Sequence, residues 1–186
     1  MLTRFLVVAV MCLVIPTVAG LAPAHAEQVV PSEKNPPGDI PDSQVFVDYA
    51  GPGFSMKVPE GWSRSDQTDG AVFSDKYNRI SVTAAPAQAA PSVTSITSGE
   101  AKALAAGRAV KLGPIKAVKL DGGSAIRLDY TANSEPNAVT NKQIRLEAVR
   151  FYLFGKARLV VLDMSAPSGA DNVDQWNLMA NSLRIQ

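Results

Sequence analysis

The sequence has one cysteine and one histidine in 186 residues, and both lie near its N-terminus. Cys12 and His25 fall in a segment that has a basic start, then an apolar run over 5–18, and no charged residue over 5–24. The segment ends in Ala-His-Ala, the small-x-small pattern that signal peptidase cleaves. The pattern predicts a signal peptide over residues 1–26, with cleavage near Ala26, and a protein that is secreted or held in the cell envelope.

Cleavage would remove all thiol and imidazole chemistry. It would exclude thiol nucleophiles, histidine acid–base catalysis, disulfides, and zinc sites built on histidine or cysteine. Two alternatives stay open. The run of 20 uncharged residues is about long enough to span a bilayer, so the leader could be retained as an anchor. Lipid could also be attached at Cys12, although Val10 and Met11 are larger than the residues that usually precede a lipidated cysteine.

The charges and the apolar runs restrict the partners. The chain has 18 basic and 17 acidic residues with no basic block, which argues against nucleic acid. The part after the leader has no second long apolar run, so we expect no membrane contact from the mature domain. About 160 residues remain after cleavage, enough for one domain with its own core.

Proline is concentrated in one segment. Residues 27–43 contain four prolines and a glycine among polar residues, which predicts a flexible linker. A peptide ligand for another protein is the alternative interpretation. Residues 44–186 then form a single domain.

Periodicity within this domain predicts strands, a helix, a meander of strands, and a final helix. This order indicates an α+β fold, with an antiparallel β-sheet and helices packed on it. The predicted strands cover 45–49, 54–58, 71–73, 80–84, 115–120, 124–132, 144–154 and 158–165.

Three local predictions can be compared with the structure. Thr97 and Glu100 have the spacing of a capping box at the first helix. Asp171 or Asn172 caps the last helix. Along 144–154 the apolar residues change parity near Val149, which predicts either a bulge or a strand buried on both faces.

The segment 53–62, Gly-Phe-Ser-Met-Lys-Val-Pro-Glu-Gly-Trp, resembles the opening motif of the PsbP-like/Mog1-like superfamily. The final Asp-Asn-Val-Asp-x-Trp segment, 171–176, and the order of elements are also similar, and the likeness extends over about 45–185. The resemblance, which includes small exported actinobacterial proteins and lipoproteins, implies an α/β/α sandwich. It also implies a binding or assembly module, since members of the superfamily bind other proteins.

Four residues are candidates for a binding surface. Trp62 and Tyr77 fall in predicted turns, where exposed aromatic side chains often anchor ligands. Trp62 could instead plug one end of the sheet. Arg145 and Arg150 lie on long strands, where a solvated face is the simplest interpretation and pairing with a ligand is the alternative.

The acidic residues give weaker signals. Asp66 and Asp69 are typical of solvated turns, while Asp171 and Asp174 suit the positive end of a helix dipole. We therefore predict no catalytic residues, no cofactor site and no resident metal, with a weak calcium site at Asp66 and Asp69 as the alternative.

Together, these observations predict an exported, non-catalytic binding or assembly module whose partner is another envelope or extracellular protein. One alternative is a small-ligand carrier, which would have an enclosed apolar cavity between the sheet and a helix. The other is a carboxylate-dependent hydrolase, in which two carboxyl groups would converge in a pocket.

Overall fold

A computed structural model describes residues 27–186, so the predicted signal peptide lies outside the described residues. Two antiparallel sheets dominate this part of the chain. None of its helices is long and apolar enough to cross a membrane. The elements are β1 (Phe46–Gly51), β2 (Phe54–Pro59), β3 (Ser63–Gln67), β4 (Gly70–Asp75), β5 (Asn78–Pro86), α1 (Val93–Ser98), α2 (Glu100–Ala105), β6 (Lys111–Leu120), β7 (Gly123–Asn133), β8 (Arg145–Gly155), β9 (Arg158–Pro167), α3 (Val173–Ser182) and β10 (Arg184–Ile185).

The large sheet has seven strands in the order β3-β4-β5-β9-β8-β7-β6, and the small sheet has the order β1-β2-β10. The alternation of buried and half-buried side chains along β2 explains how the two sheets meet. Phe54, Met56 and Val58 point from β2 into the main core, while the residues between them are half-buried. The small sheet and α3 pack on one face of the large sheet, and α1 and α2 pack on the opposite face of its β6–β8 part. The fold is therefore α+β, as the sequence predicted.

The parity change in β8 has a structural cause. Val149, Phe151 and Leu153 enter the main core, whereas Tyr152 enters the smaller cluster under α1 and α2. The pairing of β8 with β7 and β9 runs without a register shift. The two-sided environment is therefore confirmed for β8. The irregularity of the large sheet lies instead in β6, beside its Gly-Pro sequence.

The first helix start differs from its prediction, and the start of the last helix agrees in position. Ser92, not Thr97, caps the first helix, and it forms a reciprocal capping box with Ser95. The chain then breaks at Gly99 and starts α2, so Glu100 opens a second helix without a side-chain cap. Asn172 does precede α3, but its side chain makes no capping hydrogen bond.

The structure lays residues 27–43, the N-terminal arm, along the domain, in contrast to the flexible linker that the sequence predicted. A side-chain amide holds the start of the arm. Nδ2 of Asn133 donates to the Gln28 carbonyl over 2.7 Å, and its Oδ1 accepts from the Val30 N–H over 3.1 Å. Asn133 is 4% exposed. Its amide therefore binds backbone groups of the arm that would otherwise need a partner strand or water.

A second asparagine holds the end of the arm in the same way. Nδ2 of Asn172 donates to the Gly38 carbonyl over 3.0 Å, and its Oδ1 accepts from the Ile40 N–H over 2.6 Å. Ile40 itself is 3% exposed and belongs to the main core. The prolines keep the arm out of regular structure, and the two buried amides satisfy its backbone instead.

Candidate binding groove

A groove of about 450 Å³ lies between α3 and the outer strands of the large sheet. It is open to solvent along one side. We call it the α3 groove. It is lined by Lys111, Leu112, Gly113, Arg127, Asp129, Tyr130, Thr131, Glu147, Ala148, Val149, Phe151, Val173, Trp176 and Asn177.

The groove exists because the layer on this face does not reach the edge of the large sheet. The small sheet and α3 pack on strands β4, β5, β9 and β8 and on the hairpin end of β6 and β7, and the rest of β6 and β7 on this face is left open beside the helix. Val149 and Phe151, which are 2% and 3% exposed, form an apolar floor. The half-buried ring of Trp176 forms part of the helix wall. The site is therefore apolar at its base.

An ion pair is fixed on one side of the groove. Arg127 and Asp129 are alternate residues of β7, so they project from the same face of the sheet. Nε of Arg127 lies 2.7 Å from Oδ1 of Asp129, and both side chains are about one-third exposed. The guanidinium also lies 5.7 Å from the centroid of the Phe151 ring, within cation–π range. The pair is thus held over the apolar floor.

Glu147 brings a second carboxyl group to the groove. It is half-buried, and this burial raises the pKa of its carboxyl group, while the main-chain N–H of Gly169 opposes the shift. No ion pair joins Glu147 to another residue of 27–186. The groove therefore offers an apolar surface with one carboxylate that has no cation.

The structure places the two predicted aromatic residues elsewhere. Trp62 packs partly buried against the main core and lines a smaller hollow of about 190 Å³ at the β2–β3 turn. In the same hollow, the Arg64 guanidinium lies 4.7 Å from the centroid of the Tyr49 ring. Tyr77 is 36% exposed in the turn between β4 and β5. Neither residue lines the α3 groove.

The prediction that Arg145 lies on a solvated face is wrong. Arg145 is 6% exposed, and burial lowers the pKa of its guanidinium. It donates to the Ala109 carbonyl over 2.8 Å, to Asn133 Oδ1 over 3.1 Å, and to the Thr131 hydroxyl. Its role is to support Asn133, which in turn holds the N-terminal arm.

Arg150 is also not on a solvated face. Its Nη2 lies 2.5 Å from Oδ2 of Asp163, with side chains 19% and 15% exposed. The Tyr130 hydroxyl donates to the same carboxylate over 2.9 Å. Because Arg150 alternates with the residues of the groove floor, it belongs to the face that carries α1 and α2. The four predicted residues therefore do not form one surface.

The acidic residues singled out in the sequence do not line the groove either. Asp66 makes an ion pair with Arg64 over 2.6 Å in β3. Within residues 27–186, no group of three or more side chains is arranged to hold a metal ion. Sequence reasoning missed Arg127, Asp129 and Glu147 as neighbours. The available signal was the shared parity of Glu147 with Val149, but no pattern indicated which strands α3 would leave uncovered.

A scan against protein-family models and a search of curated proteins give no match. Solved structures do match. Cyanobacterial PsbP (CyanoP) from Synechocystis is 16% identical with a TM-score of 0.52, and the match covers 80% of this chain and 98% of that one.

Two further structures are similar. A protein from Bacteroides thetaiotaomicron is 12% identical with a TM-score of 0.51, over 75% of this chain and 48% of that one. LpqN of Mycobacterium tuberculosis, described as involved in cell envelope biogenesis, is 16% identical with a TM-score of 0.45, over 77% and 91%. The PsbP-like fold that the sequence resemblance implied is therefore the fold of this chain.

Proposed function

We propose that this protein is an exported, non-catalytic binding module, and that the α3 groove holds part of a partner protein in the cell envelope or outside the cell. The leader-like pattern before Glu27 supports export. The observation that carries the binding proposal is the groove itself, a preformed apolar site with a few fixed polar groups. Such a combination provides both contact area and orientation for a partner.

The polar groups of the groove suit recognition better than reaction. Asp129 is already held by Arg127, and the Thr131 hydroxyl accepts a hydrogen bond from Arg145. Residues 27–186 contain no histidine or cysteine that could activate these groups. A carboxylate alone with an apolar floor selects a ligand by charge and shape.

A carboxylate-dependent hydrolase is the second candidate, because Asp129 and Glu147 line one groove and burial raises the pKa of Glu147. If it is correct, both Asp129→Asn and Glu147→Gln should abolish turnover of a defined substrate. The small-ligand carrier has less support. The pocket does lie between the sheet and a helix, but it is an open groove and not an enclosed cavity.

Two neighbouring positions of α3 allow a matched test of binding. Asn177 lines the groove and Leu178, which is 42% exposed, does not. A photocrosslinking amino acid placed at each position in native cells should capture one defined partner from 177 and not from 178. Mass spectrometry identifies the partner. Capture of the same protein from both positions, or turnover of a substrate by the groove carboxylates, would contradict the proposal.

A further inference from the structure

We propose that the α3 groove recognises a lysine side chain of the partner protein, with its ammonium group against Glu147 and its methylene stem against Val149 and Trp176. This inference rests on the proposed function, because it specifies which chemical group the groove selects. It concerns a docking contact between two proteins.

The first argument is the missing counter-charge at Glu147. Ionised carboxylates that are removed from water are usually paired, because their desolvation is costly. Glu147 is half-buried, lines the groove, and forms no ion pair within residues 27–186. The main-chain N–H of Gly169 lowers the pKa of this carboxyl group, against the effect of burial. A cation supplied by a partner would complete this environment.

The second argument is the balance of the other charges that face the groove. Arg127 and Asp129 neutralise each other at 2.7 Å. Lys111 is exposed at the start of β6 and makes no ion pair within the described residues. Lys111 and Glu147 both face Thr131 across their strands, on opposite sides of it, so two strand spacings separate them. Glu147 is thus the carboxylate left for an incoming cation.

The third argument is the apolar surface beside the carboxylate. Glu147 and Val149 are alternate residues of β8, so they lie about 7 Å apart along one face. That spacing matches a short aliphatic stem that ends in a charge. Trp176 lies on the helix wall, and tryptophan is the aromatic side chain that attracts cations best. The Arg127 guanidinium over Phe151 shows that a cation is compatible with this surface.

Lysine fits this arrangement better than arginine. A guanidinium reaches its full strength by binding both oxygens of one carboxylate through two parallel hydrogen bonds. At Glu147 the main-chain N–H of Gly169 already acts on the carboxyl group, which leaves less room for a contact to both oxygens. A compact ammonium group makes a single strong contact from any direction, and its stem covers apolar surface.

The test uses three capped amino acids as probes for the purified protein. These are the Nα-acetyl, N-methylamide forms of lysine, norleucine and glutamate, and the indole N–H resonance of Trp176 reports binding by NMR. We expect the lysine probe to bind about tenfold more tightly than norleucine, and the glutamate probe to bind least. The Glu147→Gln variant should bind lysine and norleucine equally.

Two further outcomes keep the inference distinct from the proposed function. Lys111→Gln should raise the affinity for the lysine probe, since it removes a like charge from the groove. Equal binding of lysine and norleucine to the native protein, tighter binding of the glutamate probe, or no Trp176 shift with any probe would overturn lysine recognition. If the partner were still captured from position 177 and not from 178, the groove would remain the binding site, but its occupant would not be a lysine side chain.

Discussion

Replacing Asn172 with alanine gives a sharp prediction, because the structure assigns both ends of its side-chain amide. Oδ1 accepts from the Ile40 N–H over 2.6 Å, in a buried position, and Nδ2 donates to the Gly38 carbonyl over 3.0 Å. Asn172 is 1% exposed, so water cannot easily replace it. The side chain makes no helix-capping bond, so Asn172→Ala loses no cap.

The expected cost follows from which partners are left unsatisfied. The Ile40 N–H loses its acceptor in a buried position, which costs about 1–3 kcal/mol. The Gly38 carbonyl still accepts from Nδ2 of Asn78 over 2.9 Å, so the second lost bond costs less, about 0.5–1.5 kcal/mol. The free energy of unfolding should therefore fall by about 2–4 kcal/mol.

Urea denaturation of the purified protein measures this change, and amide hydrogen exchange shows whether residues 38–43 open first. Asn177→Ala is the control on the same helix. The Asn177 side chain is exposed at the mouth of the groove, so this variant should gain up to about 0.7 kcal/mol from helix propensity. Wild-type stability in Asn172→Ala, with unchanged exchange in the arm, would refute the role given to the buried amide.

Three further predictions concern charge and backbone. Burial raises the pKa of Glu147 in the folded protein, so ionisation of Glu147 destabilises the fold as the pH rises through this pKa. In urea denaturation, Glu147→Gln should therefore be as stable as the wild type at about pH 3 and more stable than the wild type at pH 7. Arg150→Met should cost about 3–5 kcal/mol by leaving Asp163 without its cation. Calorimetry should show that adding Asp163→Leu recovers part of the loss, because the Tyr130 hydroxyl then loses its acceptor. Gly70→Ala should cost more than Gly61→Ala in thermal unfolding, because a Cβ at Gly70 would lie 1.9 Å from a carbonyl oxygen of β5, whereas Gly61 meets only a positive φ of 82°. Equal stabilities of the wild type and Glu147→Gln at all pH values, no recovery in the double variant, or equal glycine costs would contradict these three in turn.

The strands and helices were predictable where the apolar residues recur with a single, regular spacing along the sequence. The hairpin around the Asp-Gly-Gly sequence and the long strands β8 and β9 agree with their predicted positions to within four residues, because alternation and turn glycines are local signals. Strand β3 was missed, since all five of its residues are exposed and polar. Only its pairing with β4 makes it a strand, and that pairing is not encoded in its own composition.

The packing of the arm and the site could not be read from local patterns. Proline and polar residues over 27–43 predicted a linker, and nothing in that segment shows that two distant asparagines hold it. The groove was unpredictable for the same reason, because it also depends on contacts between distant segments. Its residues come from three strands and one helix, so only the extent of the sheet that α3 leaves open brings them together. Arg145 was misassigned because a basic residue on a strand gives no sign that backbone carbonyls will satisfy it.

The most direct test of the account is the affinity of the crosslinked partner for two tryptophan variants of α3. Asn177→Trp fills the groove, whereas Leu178→Trp adds the same side chain beside it, and both positions are exposed. Calorimetric titration should show at least a tenfold loss of affinity for Asn177→Trp and native affinity for Leu178→Trp. Native affinity in Asn177→Trp would contradict the claim that the α3 groove is the binding site.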